Sequence, residues 1–170
     1  MKGSHLVLCA LLGAAPSAKA QPRSGGLDEL AGYAGTWKTQ TEHFDTKFSK
    51  ARKDSAILRN ECWRSGAYFA CHQFVDGKSA ALIVYIYDAA DDVYKNTIIP
   101  SDGGVTHRGS LFIKGRTWTF PWEDKDDTGK TIYFQVVNVW TSPGTIEYWT
   151  EFSEDKVHWT IASKGHEEKE

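Results

Sequence analysis

LDELAGYAGTW, residues 27–37, is the stretch that decides the fold. Leu27, Leu30 and Ala34 recur at helical spacing, Gly32 and Gly35 interrupt the helix, and from Trp37 the alternation has a period of two. A short amphipathic helix that runs through Gly-x-Trp straight into a strand suits the closed end of a β-barrel. From there, Trp37, Thr39, Thr41 and His43 share one strand face, and Lys38, Gln40 and Glu42 the other. The first set is expected to face inward.

Outward from this stretch the chain reads as strand after strand. Segments 55–63, 67–75, 79–87, 93–99, 105–113, 116–122, 131–140, 145–152 and 157–162 are rich in β-branched and aromatic residues. They are separated by turn signals such as Arg64-Ser65-Gly66, Asp76-Gly77, Pro100-Ser101-Asp102-Gly103-Gly104, Lys114-Gly115 and Ser142-Pro143-Gly144. With residues 37–43 this gives ten short strands and no second helix, an all-β pattern. An up-and-down antiparallel β-barrel of about ten strands with a short N-terminal helical plug is the expected fold, because closure removes the sheet edges. A two-sheet sandwich is the alternative, but its Greek-key crossover has only the connection 44–53 to draw on. In a meander, connections 44–53, 76–78, 100–104, 123–130 and 153–156 gather at one open end, and the hairpin tip 64–67 falls beside the plug.

Residues 1–20 combine an early Lys2, an apolar run from 6 to 15, and Ala18 and Ala20, the pattern of a signal peptide cleaved after Ala20. The run is too short to span a bilayer, so an exported protein without a membrane anchor is expected. Residues 21–26 read as a flexible leader, 27–164 as a single barrel domain and 165–170 as a charged tail. Removal of residues 1–20 leaves 150 residues, enough for one well-cored domain. Lys2 and Lys19 leave with that segment, taking the net charge from −2 to −4. That balance argues against nucleic acid as a partner. Cys9 also leaves, and in an oxidising compartment Cys62 and Cys71 are expected to form a disulfide across the hairpin that turns at 64–66.

The Gly35-Thr36-Trp37 element after a short helix resembles the first signature of the calycin barrels, the superfamily of lipocalins and fatty-acid-binding proteins. The chain also resembles exported bacterial proteins of lipocalin-like fold that carry a Cys pair in the second hairpin. The resemblance implies that Trp37 closes one end of the barrel and that a cation covers it. Lipocalins use a late Arg for this; here no Arg follows Arg116, so Lys114, Arg116 or Lys164 is expected to take its place. Some ten-strand members hold haem by one His on a late strand, which directs attention to His158, although alternation sets it opposite Trp159 and Ile161, expected to point inward.

Chemistry-bearing motifs are otherwise sparse. There is no Gly-x-Ser-x-Gly, no phosphate-cradling glycine loop and no pair of His at metal-ligand spacing. Asp124-Lys-Asp126-Asp127-Thr128-Gly129 imitates the start of a calcium loop, but its twelfth position is Gln135 and its flanks are strands. No catalytic residue, metal or cofactor is assigned, and carboxylates are expected in loops and on outer faces. The seven Trp, seven Tyr and eight Phe all follow residue 20, so they either fill a packed barrel or wall a pocket. The pocket reading takes Trp37, Thr39, Thr41, Tyr85, Trp118, Gln135 and Tyr148 as ligand-binding residues and a small, largely apolar molecule as ligand. A packed barrel points instead to a cell-envelope interaction or inhibitor module, and an inward polar cluster would point to an enzyme. Loop 44–53 is read as a lid whose Lys47, Lys50, Arg52 and Lys53 face Glu123, Asp124, Asp126 and Asp127 across the mouth and attract an anionic head group.

Overall fold

Period-two alternation closes the chain on itself. The computed structural model describes residues 26–170; the expected signal segment 1–20 and leader residues 21–25 lie outside the described residues. A 3-10 helix, Gly26–Tyr33, is followed by β1 (Gly35–His43), β2 (Arg52–Ser65), β3 (Tyr68–Val75), β4 (Lys78–Asp88) and β5 (Val93–Pro100). Then come β6 (His107–Lys114), β7 (Thr117–Lys125), β8 (Thr131–Ser142), β9 (Thr145–Ser153) and β10 (Thr160–Lys169). Each strand pairs antiparallel with its sequence neighbours, and β1 also pairs with β10, which completes a closed ten-strand barrel. Among the described residues no helix is long and apolar enough to cross a membrane.

The expected plug is there, and the turns of its helix explain how it seals one end. Leu27 and Leu30 are buried against Phe69, Cys71, Ile83 and Leu111 of the barrel wall. Tyr94 ties the start of the helix down, its hydroxyl 2.5 Å from the Gly26 carbonyl and 3.1 Å from a Glu29 carboxylate oxygen. Gly35, at φ 118°, turns the chain from helix into β1 in a region that side chains other than glycine's rarely enter. Trp37 then lies fully buried, donating its indole N–H to the Tyr33 carbonyl at 3.1 Å and meeting the Trp140 ring edge-on at 5.6 Å. Trp118 completes this floor, 5.3 Å from Trp140 and 6.1 Å from Tyr33 between ring centres.

The last strand corrects the sequence reading. It runs Thr160–Lys169 in place of 157–162, and residues 165–169, expected to be part of a charged tail, pair with β1 from Thr41↔Gly165 to Trp37↔Lys169. The reason is closure: the residues that pair with β1 run from Ser163 to Lys169, so a strand ending at residue 162 would leave that edge of β1 unpaired. The cation over Trp37 is accordingly Lys169, with Nζ 5.3 Å from the ring centre and donating to the Gly32 carbonyl at 3.2 Å, and not Lys114, Arg116 or Lys164.

Cys62 and Cys71 sit directly opposite each other in the β2–β3 ladder and form the expected disulfide, with Cα atoms 4.0 Å apart. Cys71 is buried beneath the plug. Replacing both with Ala is expected to reduce stability by about 2–3 kcal/mol, since the bridge closes a short loop in the unfolded chain. Urea unfolding of the double variant measures this, and an unchanged midpoint would contradict it.

Candidate functional site

Above the floor the barrel is hollow. The inner faces enclose a cavity of about 840 Å³, within the range of small-molecule sites. Leu58, Ile83, Ile98, Phe120 and Val136 give it apolar walls. Its lower part is polar, where Tyr33, Thr39, Asn96, Asn138, Tyr148 and Glu167 converge. The register explains this: Thr39↔Glu167 is the next inward-facing pair after Trp37↔Lys169, so the carboxyl of Glu167 stands one pleat above the sealed floor.

Close packing of this layer depends on two glycines. Tyr148 of β9 reaches across β10 to Thr41 of β1, with the two hydroxyl oxygens 2.5 Å apart. Gly165 lies beneath its ring, and a Cβ there would come within 2.1 Å of the phenol carbon Cζ. Gly109 makes the same allowance for Asn96, whose Oδ1 would lie 2.6 Å from a Cβ at that position.

Glu167 is only 7 % exposed, and its Oε2 has no hydrogen-bond partner. Burial raises its carboxyl to about 7, against a small opposing effect of His166. Tyr33 is raised as well, chiefly by burial and then by the neighbouring Glu167, and Tyr85 by burial. Tyr148 is raised by burial, partly offset by its bond to Thr41. Asn96 Oδ1, in the same cavity, is also buried without a partner.

The cavity opens at the side. β6 and β7 are paired only near their shared turn, from Phe112↔Thr119 to Lys114↔Thr117, and then diverge. Consecutive residues 107–110 and 120–124 line the cavity, which requires that the interior reach the surface between these two strands. Loop 44–51 bends the other way, over the β8–β9 rim. Phe48 packs edge-on against Phe134 and Phe152 at 5.1 and 4.8 Å, and Lys47 is ion-paired with Glu154, which also takes Lys130.

Several expectations change here. The basic residues of the first loop do not pair with the acidic loop: Lys50 bonds Asp45, Arg52 bonds Asp54 and Lys53 bonds Glu42, all near in sequence or across the β1–β2 ladder. Such exposed pairs contribute roughly 0–1 kcal/mol each. Asp126 spends its carboxylate on its own turn, accepting from Thr128 N–H, Thr128 Oγ1 and Lys130 N–H at 2.6–3.0 Å, bonds that hold it below the usual carboxylate range. His158 lies before β10, exposed, with Nδ1 2.7 Å from Asp155 Oδ2, so it does not present a ligand to the barrel interior. Trp159 lines an outer groove and Ile161 pairs with the outward-facing Glu151, so neither points in.

Of the seven residues read as ligand-binding, Thr39, Tyr85 and Tyr148 line the cavity. Thr41 is held at its edge by Tyr148. Trp37 and Trp118 belong to the floor, with Trp118 also facing a depression of about 510 Å³ at the closed end. Gln135 is on the outer face, donating to Glu151 at 2.6 Å, because the residues of β8 that line the cavity are Val136 and Asn138. The sequence reading missed Glu167, Asn96, Asn138 and Tyr33. For Glu167 the available signal was the length of β1, which needs a partner strand running past residue 162.

Among solved structures, Rv2717c from M. tuberculosis is similar over 85% of this chain and 96% of its own, at 10% identity and a TM-score of 0.46. No family model matches the chain, and no curated protein matches it. The chain's own geometry therefore carries the functional reading.

Proposed function

We propose that this protein is an exported, calycin-like barrel that binds a small, largely apolar molecule non-covalently in its interior. The observation that carries the reading is the cavity of about 840 Å³, which combines apolar walls, a polar floor and a side opening. A solid core would have favoured the interaction or inhibitor module. Lys169 over Trp37 supports the calycin resemblance, because it supplies the covering cation that the resemblance implies. The disulfide fits an oxidising compartment.

One observation favours a second reading. An inward carboxyl that titrates near neutrality is suited to proton transfer, so Glu167 has the chemistry of a general acid or base. Binding ranks first because the titratable side chains that act on Glu167 from other elements are tyrosines held in their neutral form.

The test is titration with a neutral, environment-sensitive dye, Nile red, against the native protein and a Val136→Trp variant whose indole projects into the cavity. Saturable binding of one dye per native chain is expected, weakened at least about tenfold in the variant, a loss of ~1.4 kcal/mol of binding free energy, because the indole occupies space the dye needs. Equal binding by the two proteins, with circular dichroism showing both folded, would sink the interior-site reading.

A further inference from the structure

We propose that the ligand of this cavity carries a basic nitrogen, and that its protonated amine is held by the Glu167 carboxylate among the phenol rings of Tyr33, Tyr85 and Tyr148. The proposal rests on the binding reading and adds the chemical class of the ligand.

Three observations converge on it. Both buried atoms of the cavity that lack a partner, Glu167 Oε2 and Asn96 Oδ1, are acceptors. A ligand that completes this site must therefore bring donors, and an ammonium group has three and no acceptor. Charge decides between an amine and a neutral donor. A carboxylate taken out of water is strongly disfavoured until a cation joins it, and none of the three basic residues on its own strand does so: Lys164 is on the opposite, outward-facing parity of β10, and the other two are engaged elsewhere. His166 points away to Glu147 at 2.7 Å, and Lys169 is fixed over Trp37 by the Gly32 carbonyl. Aromatic faces are the other half of ammonium recognition, and Tyr33, Tyr85 and Tyr148 all border the same cavity.

The entrance agrees with the interior. Where the slot between β6 and β7 meets the cavity, Glu123 and Asp124 outnumber Arg108. An anionic head group, the class suggested by the basic loop, would meet a buried carboxyl at the floor and an acidic rim at the slot. A metal ion is poorly served, because among the described residues no group of three His, Cys, Asp or Glu comes together.

Binding should be coupled to ionisation of Glu167, which burial sets at about 7. The groups that bear on it are Tyr33 of the plug, Tyr148 of β9, Tyr85 of β4 through Tyr33, and His166 on its own strand. The phenols stay neutral through this range because burial raises them, so at the floor the carboxyl is the group that changes charge. His107, Arg108, Glu123 and Asp124 line the cavity at the slot and are common to the native protein and the Glu167→Gln control.

The experiment uses three matched probes, naphthalen-2-ylmethylamine, naphthalen-2-ylmethanol and naphthalene-2-carboxylate, titrated calorimetrically into the native protein and Glu167→Gln. The amine is expected to bind at least about tenfold tighter than the alcohol at pH 8, and the carboxylate most weakly of the three. Affinity for the amine should rise more than about tenfold from pH 5.5 to 8 while that for the alcohol stays level, and the preference should vanish in Glu167→Gln. Equal affinity for amine and alcohol, or a preference that survives Glu167→Gln, overturns the inference and leaves the binding reading standing. Failure of all three probes while the dye still binds has the same meaning; failure of the dye as well overturns both.

Discussion

Replacing Trp37 with Ala is expected to destabilise the barrel by about 3–5 kcal/mol, the range for truncating a large buried aromatic side chain. Trp37 has no exposed surface, and it joins the three parts of the closed end: Tyr33 of the plug by a hydrogen bond, Trp140 of β8 by ring contact and Lys169 of β10 by its ammonium. Without the indole these groups face a void that neither the helix nor the strands can close, because both are pinned elsewhere by Tyr94 and the β1–β10 ladder. Denaturant unfolding monitored by circular dichroism measures the loss, and a variant as stable as the parent would contradict the role of Trp37 as floor. Conservative replacement by Phe keeps most of the volume but loses the bond to Tyr33, so a smaller loss is expected.

Glu167→Gln should have the opposite sign and depend on pH. In the unfolded chain the carboxyl titrates at its ordinary value of 4.5, whereas in the barrel burial raises it to about 7. Below pH 4.5 it is protonated in both states and the two proteins should be similarly stable. Between 4.5 and 7 the native state retains a proton that the unfolded state has lost, so stability falls as pH rises. Above 7 the carboxylate is ionised in both states and the penalty is complete, at about 3 kcal/mol, since each tenfold difference in proton affinity between the two states is worth ~1.4 kcal/mol. The variant should therefore match the parent near pH 4 and exceed it by about that amount at pH 8, as read from melting temperatures across the range. Parallel curves would mean that the carboxyl is not held in a desolvated site. The exposed acids Glu154 and Asp155 work the other way. Their bonds to Lys130 and His158 lower their titration, so their contribution is lost on acidification below about 4.

A group that costs the free protein stability at neutral pH has a reason for its place only when something pairs with it. That is the physical link between the destabilising carboxyl and the proposed amine, and it accounts for the same side chain appearing in both the stability and the binding expectations.

The fold was legible because its signals are local and redundant. The Gly-x-Trp boundary, the turn residues at each hairpin and the β-branched runs all agree, and the disulfide follows from two cysteines flanking one turn. The site was most legible on β1, where Trp37, Thr39, Thr41 and His43 alternate with Lys38, Gln40 and Glu42, and elsewhere it was legible only as single aromatics, Tyr85 of β4 and Tyr148 of β9, which line the cavity. On β8 the run Ile132 to Val139 carries bulky residues on both faces, so periodicity leaves the inward set undetermined and Gln135 reads as inward although it faces out. On β10 the polar run Lys164 to Glu168 has no apolar alternation to reveal that one of its charged residues is inside. What places Glu167 is a long-range requirement, the pairing of β10 along the whole of β1, which lies outside any local window. The slot is of the same kind, since it arises from two strands parting after three residue pairs.

Whether the barrel interior is a binding site is decided by native mass spectrometry of the protein purified from its own host. One non-covalently retained molecule per chain is expected, released on unfolding, missing from Val136→Trp, and carrying a basic nitrogen. A spectrum showing only the bare chain, from a preparation that also fails to take up the dye or any of the naphthyl probes, would contradict an interior site.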